Sequence, residues 1–152
     1  MKINYNLLNK QLESLIGGET DRTGILANAA ALLKETTGWF WVGFYMVRDD
    51  ELRLGPFQGP VACFRIGFGK GVCGSSWAQR RSLVVPDVEE FPGHIACSSL
   101  SRSEIVVPIF SGDEILGVLD IDSTETGTFT EEDRAGLEEF CTILAGALND
   151  SN

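Results

Sequence analysis

Between His94 and Ser123 the chain gathers most of the groups that could do chemistry. Cys97 lies in a polar, serine-rich stretch, and Glu104 follows at the start of an apolar run. Asp120 and Asp122 then interrupt a second apolar run. Neighbouring acids raise a thiol's pKa and make it less reactive at rest. Acids placed here therefore suit a ligand better than they suit the cysteine. Asp120 and Asp122 are two residues apart, so on a strand they share a face roughly 7 Å apart, with Leu119 and Ile121 turned to the core. A solvated strand face, a divalent cation and a small amine-bearing ligand each fit a D-x-D pair. Crowded into one pocket with Glu104, at least one carboxyl would keep its proton and could donate it.

The four cysteines fall at 63, 73, 97 and 141. No C-x-x-C pair exists, so a zinc ribbon or a thioredoxin-type motif is not expected. Cys141 falls on the apolar stripe of a C-terminal helix and reads as packing. Cys63, Cys73 and Cys97 fall in or beside glycine-rich and serine-rich segments, where thiols can meet, and redox work is the reading that unites them. Gly69-Lys70-Gly71-Val72-Cys73-Gly74 matches the dinucleotide pattern G-x-G-x-x-G, but the helix after it is short and no repeated strand–helix–strand unit follows. His94 by itself reads as a loop or core residue, and Arg102 as a carboxylate ligand or a surface ion pair.

The elements that must position these groups are legible from periodicity. Amphipathic segments at residues 2–16 and 21–37 predict two helices, the second closed by Gly38. Residues 39–47 (WFWVGFYMV) predict a buried strand with Trp39, Trp41, Gly43, Tyr45 and Val47 on one face. Trp41 and Tyr45 would be roughly 13 Å apart along it, with Gly43 leaving a place between them for a short apolar group. Asp49-Asp50 predicts a hairpin to a strand at 51–57, broken by Pro56, Gly59 and Pro60. A strand at 61–66 carrying Cys63, a short helix at 75–81 and a strand at 82–86 follow. Residues 87–101 form a long loop of the kind often used for binding. Strands at 104–110 and 114–122 are joined by Ser111-Gly112-Asp113. Thr130-Glu-Glu-Asp133 opens the last helix with a capping pattern.

This order predicts an α+β fold, a largely antiparallel sheet of about six strands flanked by helices, with the ligand site on the face away from the helices. Its 152 residues suit one domain over 1–152. The net charge of −10 disfavours nucleic acid and anionic membranes as partners. No apolar leader or spanning run is read, so the expected compartment is the cytoplasm, where structural disulfides are rare.

At these residues the chain resembles a known family. Gly69-Lys-Gly-Val-Cys73-Gly, Val85-Pro-Asp-Val88, Pro92-Gly-His-Ile-Ala-Cys97, Arg102-Ser-Glu104-Ile-Val-Val-Pro108 and Gly117-Val-Leu-Asp-Ile-Asp-Ser123 are similar to the free methionine-(R)-sulfoxide reductases, single GAF-domain enzymes. Gly38-Trp-Phe-Trp-Val-Gly-Phe-Tyr45 agrees as well. The resemblance implies Cys97 as nucleophile, Cys63 as main resolving thiol and Cys73 as an alternate partner. It implies that Trp41, Tyr45, Glu104, Asp120 and Asp122 line the substrate pocket. It further implies a thioredoxin-like reductant and no cofactor or metal. Oligomeric state is left open, a homodimer included. The rival reading is a non-catalytic GAF sensor of a small molecule or of redox state, and a zinc-binding structural protein comes third.

Overall fold

The structure is a computed structural model that describes residues 2–94 and 99–151. The order is α1 (Tyr5–Ile16), α2 (Arg22–Thr37), β1 (Trp41–Arg48), β2 (Glu51–Gln58), β3 (Arg65–Ile66), α3 (Gly71–Gln79), β4 (Leu83–Val85), a 3-10 turn (Val88–Glu90), β5 (Ser103–Ser111), β6 (Glu114–Ser123) and α4 (Glu131–Asn149). The six strands form one sheet in the order β3-β2-β1-β6-β5-β4, and every neighbouring pair is antiparallel.

The strand period of two divides the apolar residues between two cores. Val42, Phe44, Ile105, Val107, Leu119 and Ile121 face α1, α2 and α4. Trp41, Tyr45, Val106 and Val118 face the other way, where Val72 and Cys73 of α3 pack. Cys141 is buried in the helix-side core, as packing predicts. The helix ends follow local chemistry. Asp21 accepts from the Gly24 amide to start α2, and Gly38 closes it in the left-handed region at φ 69°. Thr130 and Asp133 make a reciprocal capping box on α4. Asp49 and Asp50 both take positive φ in the β1–β2 hairpin, as a two-residue turn of primed type requires.

Four local expectations are corrected. Trp39 lies outside β1 and on the opposite side from Trp41, packed edge-on against Phe129 at 5.3 Å between ring centroids. The alternation of β1 starts only at Trp41, after the chain has turned through Gly38. Pro56 does not break β2 but sits inside it, where the β1–β2 register shifts between Gly43 and Tyr45. An irregularity of that kind tolerates a residue without an N–H. The strand expected at 61–66 is reduced to Arg65–Ile66, so Cys63 lies in a loop. Finally, α3 begins at Gly71 rather than 75, so half of the glycine cluster is helical.

Candidate functional site

The pairing register of three strands builds the site. Trp41 of β1 lies opposite Asp122 of β6, and Asp122 lies opposite Glu104 of β5. One step along, Gly43 lies opposite Asp120, and Asp120 opposite Val106. Neighbouring strands are about 4.8 Å apart, so the three carboxylates converge on the face away from α1, α2 and α4. Like charges opposite one another on a sheet are destabilising, which a fold built for stability alone would avoid.

The cleft over this row is lined by Trp41, Tyr45, Cys73, Glu104, Asp120 and Asp122 together with residues the sequence analysis set aside. It encloses about 520 Å³ counted to its open mouth, with about 40 Å³ open to the centres of water molecules. Of the site residues expected from the sequence, Trp41, Tyr45, Cys73, Glu104, Asp120 and Asp122 are brought together here, Cys63 is not among the lining residues, and Cys97 lies outside the described residues.

Trp41 does not flank an empty place. Its indole lies over Gly43, where an added Cβ would come within 2.7 Å of the ring and 2.3 Å of Phe57 Cβ. The ring stacks on Phe57 at 5.1 Å and on Tyr45 at 6.0 Å between centroids. The two aromatics thus lean together and form one wall. Trp41 Nε1 donates to the Pro60 carbonyl and the Tyr45 hydroxyl donates to the Cys63 carbonyl, both at 2.9 Å. The wall of the cleft therefore also holds the loop that carries Cys63. Gly43→Ala is expected to cost about 1–3 kcal/mol through overpacking and to weaken ligand binding as the indole is displaced. Thermal melts with and without ligand check this.

Cys63 is disulfide-bonded, whereas Cys73 and Cys141 are free thiols. Cys73 lies in the first turn of α3, buried beside Asp120 and Glu104. Burial, and then the charges of Asp120, Glu104 and Asp122, push its thiol well up. The three acids respond differently to one another. Burial, then the charges of Asp120 and Asp122, hold Glu104 well above the usual carboxylate range. Burial and then Asp120 do the same to Asp122. Asp120 is raised by burial but pulled back by hydrogen bonds from Glu104 and Cys73 and by His94. Asp120 is thus the member pulled back toward its charged form, while Glu104 and Asp122 are held toward the protonated form. The Tyr45 phenol is also raised, by burial first and by the acids after it.

These shifts have a stability consequence. Below about pH 4 the acids are protonated in both folded and unfolded chains and cost nothing. As pH rises past that point the unfolded chain ionises them freely and the folded chain does not. Stability therefore falls with rising pH until the folded values are passed. The melting temperature of the ligand-free protein is expected to rise from about pH 8 to about pH 5, with a flatter slope in Glu104→Gln. A variant as pH-dependent as the wild type would refute this account.

Two contributors were not found from the sequence. His94 was set aside, yet it lines the cleft with Nε2 3.9 Å from Glu104 Oε1. Burial pushes its imidazole down, with the charge of Asp120 opposing. The N-terminus of α3 was the other. Gly71 and Val72 line the cleft, and among the described residues no side chain caps this helix end. Unpaired N–H groups at a helix start favour anions. The dinucleotide pattern has a different physical basis here. A Cβ on Gly74 would meet the Gly67 carbonyl at 2.4 Å, so that glycine permits backbone packing. Arg102 does not line the cleft.

Residues 19–149 match the GAF domain family. The chain is 48% identical over 145 residues to the free methionine-R-sulfoxide reductase of Escherichia coli (strain K12), covering 95% of this chain and 88% of that protein. It is 52% identical over 141 residues to GAF domain-containing protein A of Dictyostelium discoideum, covering 92% and 89%. The X-ray structure of free methionine-R-sulfoxide reductase from Neisseria meningitidis in complex with its substrate superposes with a TM-score of 0.95 at 54% identity, covering 97% of this chain and 89% of that one. The chain belongs to the GAF-fold family of free methionine-R-sulfoxide reductases. For a member of this family, a cleft of acids and aromatics next to cysteine-bearing loops is where chemistry is to be sought. Among the described residues, no helix of this GAF protein is long and apolar enough to cross a membrane.

Proposed function

We propose that this chain reduces the (R) epimer of free methionine sulfoxide to methionine. The observation that carries the reading is the bond from the Tyr45 hydroxyl to the Cys63 carbonyl, which fastens a redox-active loop to an acidic cleft of amino-acid character. The cleft suits a zwitterion. Asp120, charged and with an unpaired buried oxygen, takes the ammonium. The open N–H groups at the start of α3 take the carboxylate. The Trp41–Tyr45 wall receives the methyl end. An amide nitrogen carries no charge for Asp120, so methionine sulfoxide within a protein is excluded.

In the chemical step Glu104, with Asp122 beside it, gives a proton to the sulfoxide oxygen. The Cys97 thiolate attacks the sulfur made electrophilic by that proton. The S–O bond of the substrate breaks, methionine leaves and Cys97 becomes a sulfenic acid. Cys63 attacks the sulfenic sulfur, water leaves and a Cys63–Cys97 disulfide forms. That Cys63 is disulfide-bonded while Cys73 and Cys141 are free supports this pairing. Cys73, buried beneath the acids, suits the alternate rather than the main resolving role. A thioredoxin-like dithiol then returns the pair to thiols and is itself oxidised. Such a cycle belongs in a reducing cytoplasm.

The test is consumption of each free sulfoxide epimer with thioredoxin, thioredoxin reductase and NADPH. Turnover of the (R) epimer alone is expected, with none of N-acetylmethionine sulfoxide. Binding without turnover would instead establish a sensor.

A further inference from the structure

The base of the cleft holds a second, smaller constellation. Cys73 Sγ, a Glu104 carboxylate oxygen and an Asp120 carboxylate oxygen lie within 4.8 Å of one another, all on buried residues. Asp120 is 6% exposed, and its Oδ1 has no hydrogen-bond partner. His94 reaches the same place, with Nε2 3.9 Å from Glu104 Oε1. The cleft that holds these residues offers about 40 Å³ to the centres of water molecules, enough for an ion with a water.

We propose that Cys73, Glu104 and Asp120, with His94 as the fourth donor, form a site for zinc or another borderline-soft divalent cation, and that its occupancy shuts out the substrate. The donor set selects the ion. A thiolate and an imidazole beside two carboxylates match zinc and discriminate against magnesium and calcium, which take oxygen ligands. Zinc–ligand distances of about 2.0–2.3 Å put tetrahedral donors roughly 3.3–3.7 Å apart, which small side-chain rotations reach from the present separations. Two carboxylates and a thiolate carry a charge of −3. A single ammonium offsets one unit of that, whereas a divalent cation offsets two and also gives the orphaned Asp120 oxygen a partner. Binding displaces the protons of Cys73 and Glu104 to solvent, as metal binding to protonated donors does. No electron moves, so the block is reversible by chelation. The sheet register supplies the geometry, because Asp120 and Glu104 come from adjacent strands and Cys73 from the helix laid across them.

The metal site stands on geometry alone. Its competition with substrate rests on the reductase reading. The experiment separates the two by using the disulfide form, in which Cys63 is withheld as a ligand. That form is titrated with zinc chloride by calorimetry and with cobalt(II) by absorption, in buffer free of thiols and chelators. One ion per chain and a thiolate-to-cobalt charge-transfer band are expected. Affinity should fall roughly tenfold or more in Cys73→Ala and in Asp120→Asn and be kept in Cys141→Ala. Absence of binding, or binding unchanged in both site variants, overturns the proposal. If Cys73→Ala does not fold, the wild-type cobalt band and Asp120→Asn decide the matter, and a spectrum without thiolate character overturns it. For the reduced protein, excess methionine should displace the ion, and an ion that methionine does not displace refutes the exclusion. Zinc binding in a protein that never reduces a sulfoxide would leave the site standing without the reductase reading.

Discussion

Cys97→Ser should reduce turnover of free methionine (R)-sulfoxide by about ten-thousand-fold or more, the scale of removing a nucleophile. A serine oxygen cannot take up the sulfoxide oxygen as the Cys97 sulfur does in becoming a sulfenic acid. Cys63→Ser should behave differently, because it spares the first step. One equivalent of methionine per chain is expected in a single turnover, with a sulfenic acid that a dimedone-type reagent traps on Cys97. Steady-state reduction by thioredoxin should then be mostly lost, with a residue of activity through Cys73. Rapid-quench measurement of methionine distinguishes the two variants. If Cys63→Ser cycles with thioredoxin at the wild-type rate, Cys63 is not the resolving thiol. For a Cys97 that acts beside the acids, as proposed, methionine binding should lower the thiol pKa by bringing an ammonium.

Asp120→Asn and Glu104→Gln should separate binding from chemistry. Removing the charge that faces the ammonium leaves that ammonium unpaired in a buried site. Loss of one partner of such a pair costs about 2–5 kcal/mol, so kcat/KM should fall roughly a hundredfold or more, mostly through KM. Glu104→Gln removes the proton donor and spares the counter-charge. General acid catalysis contributes about 100- to 10,000-fold, so the loss should fall on kcat, and the fall in rate as Glu104 ionises should disappear from the pH profile. Both variants keep the side-chain volume, and Glu104→Gln replaces a carboxyl that burial already holds toward its neutral form with a neutral amide. Unfolding therefore should not account for either loss. Equal effects of the two variants on kcat and KM would sink the division of labour.

The expected outcomes depend on features that were unequally legible in the chain. The helices at 21–37 and after Thr130 follow from periodic apolar residues and local caps, and so do the hairpins at Asp49-Asp50 and Ser111-Gly112-Asp113. Each depends on residues only a few positions apart, so no distant contact was needed to read it. The face shared by Asp120 and Asp122, opposite Leu119 and Ile121, follows from the strand period alone. The strand expected at 61–66 shortened because, among the described residues, its pairing with β2 runs through Leu52–Ile66 and Arg53–Arg65 and ends with the Leu54 N–H donating to the Phe64 carbonyl. The phase of Trp39 failed because periodicity does not say where a strand begins.

The sequence by itself determined which groups could act: a thiol in a polar loop, three acids on two strands and an aromatic strand with a glycine in it. Residue type and a period of two carry that information, since both are properties of the local chain. Only the tertiary structure decided their neighbours. The register Trp41–Asp122–Glu104, the Trp41 ring lying over Gly43, the arrival of His94 and the α3 N-terminus, and the burial that lets Glu104 keep its proton all come from pairings between distant segments. Charge state in a buried cluster depends on desolvation and on every nearby charge, and neither exists until those segments meet.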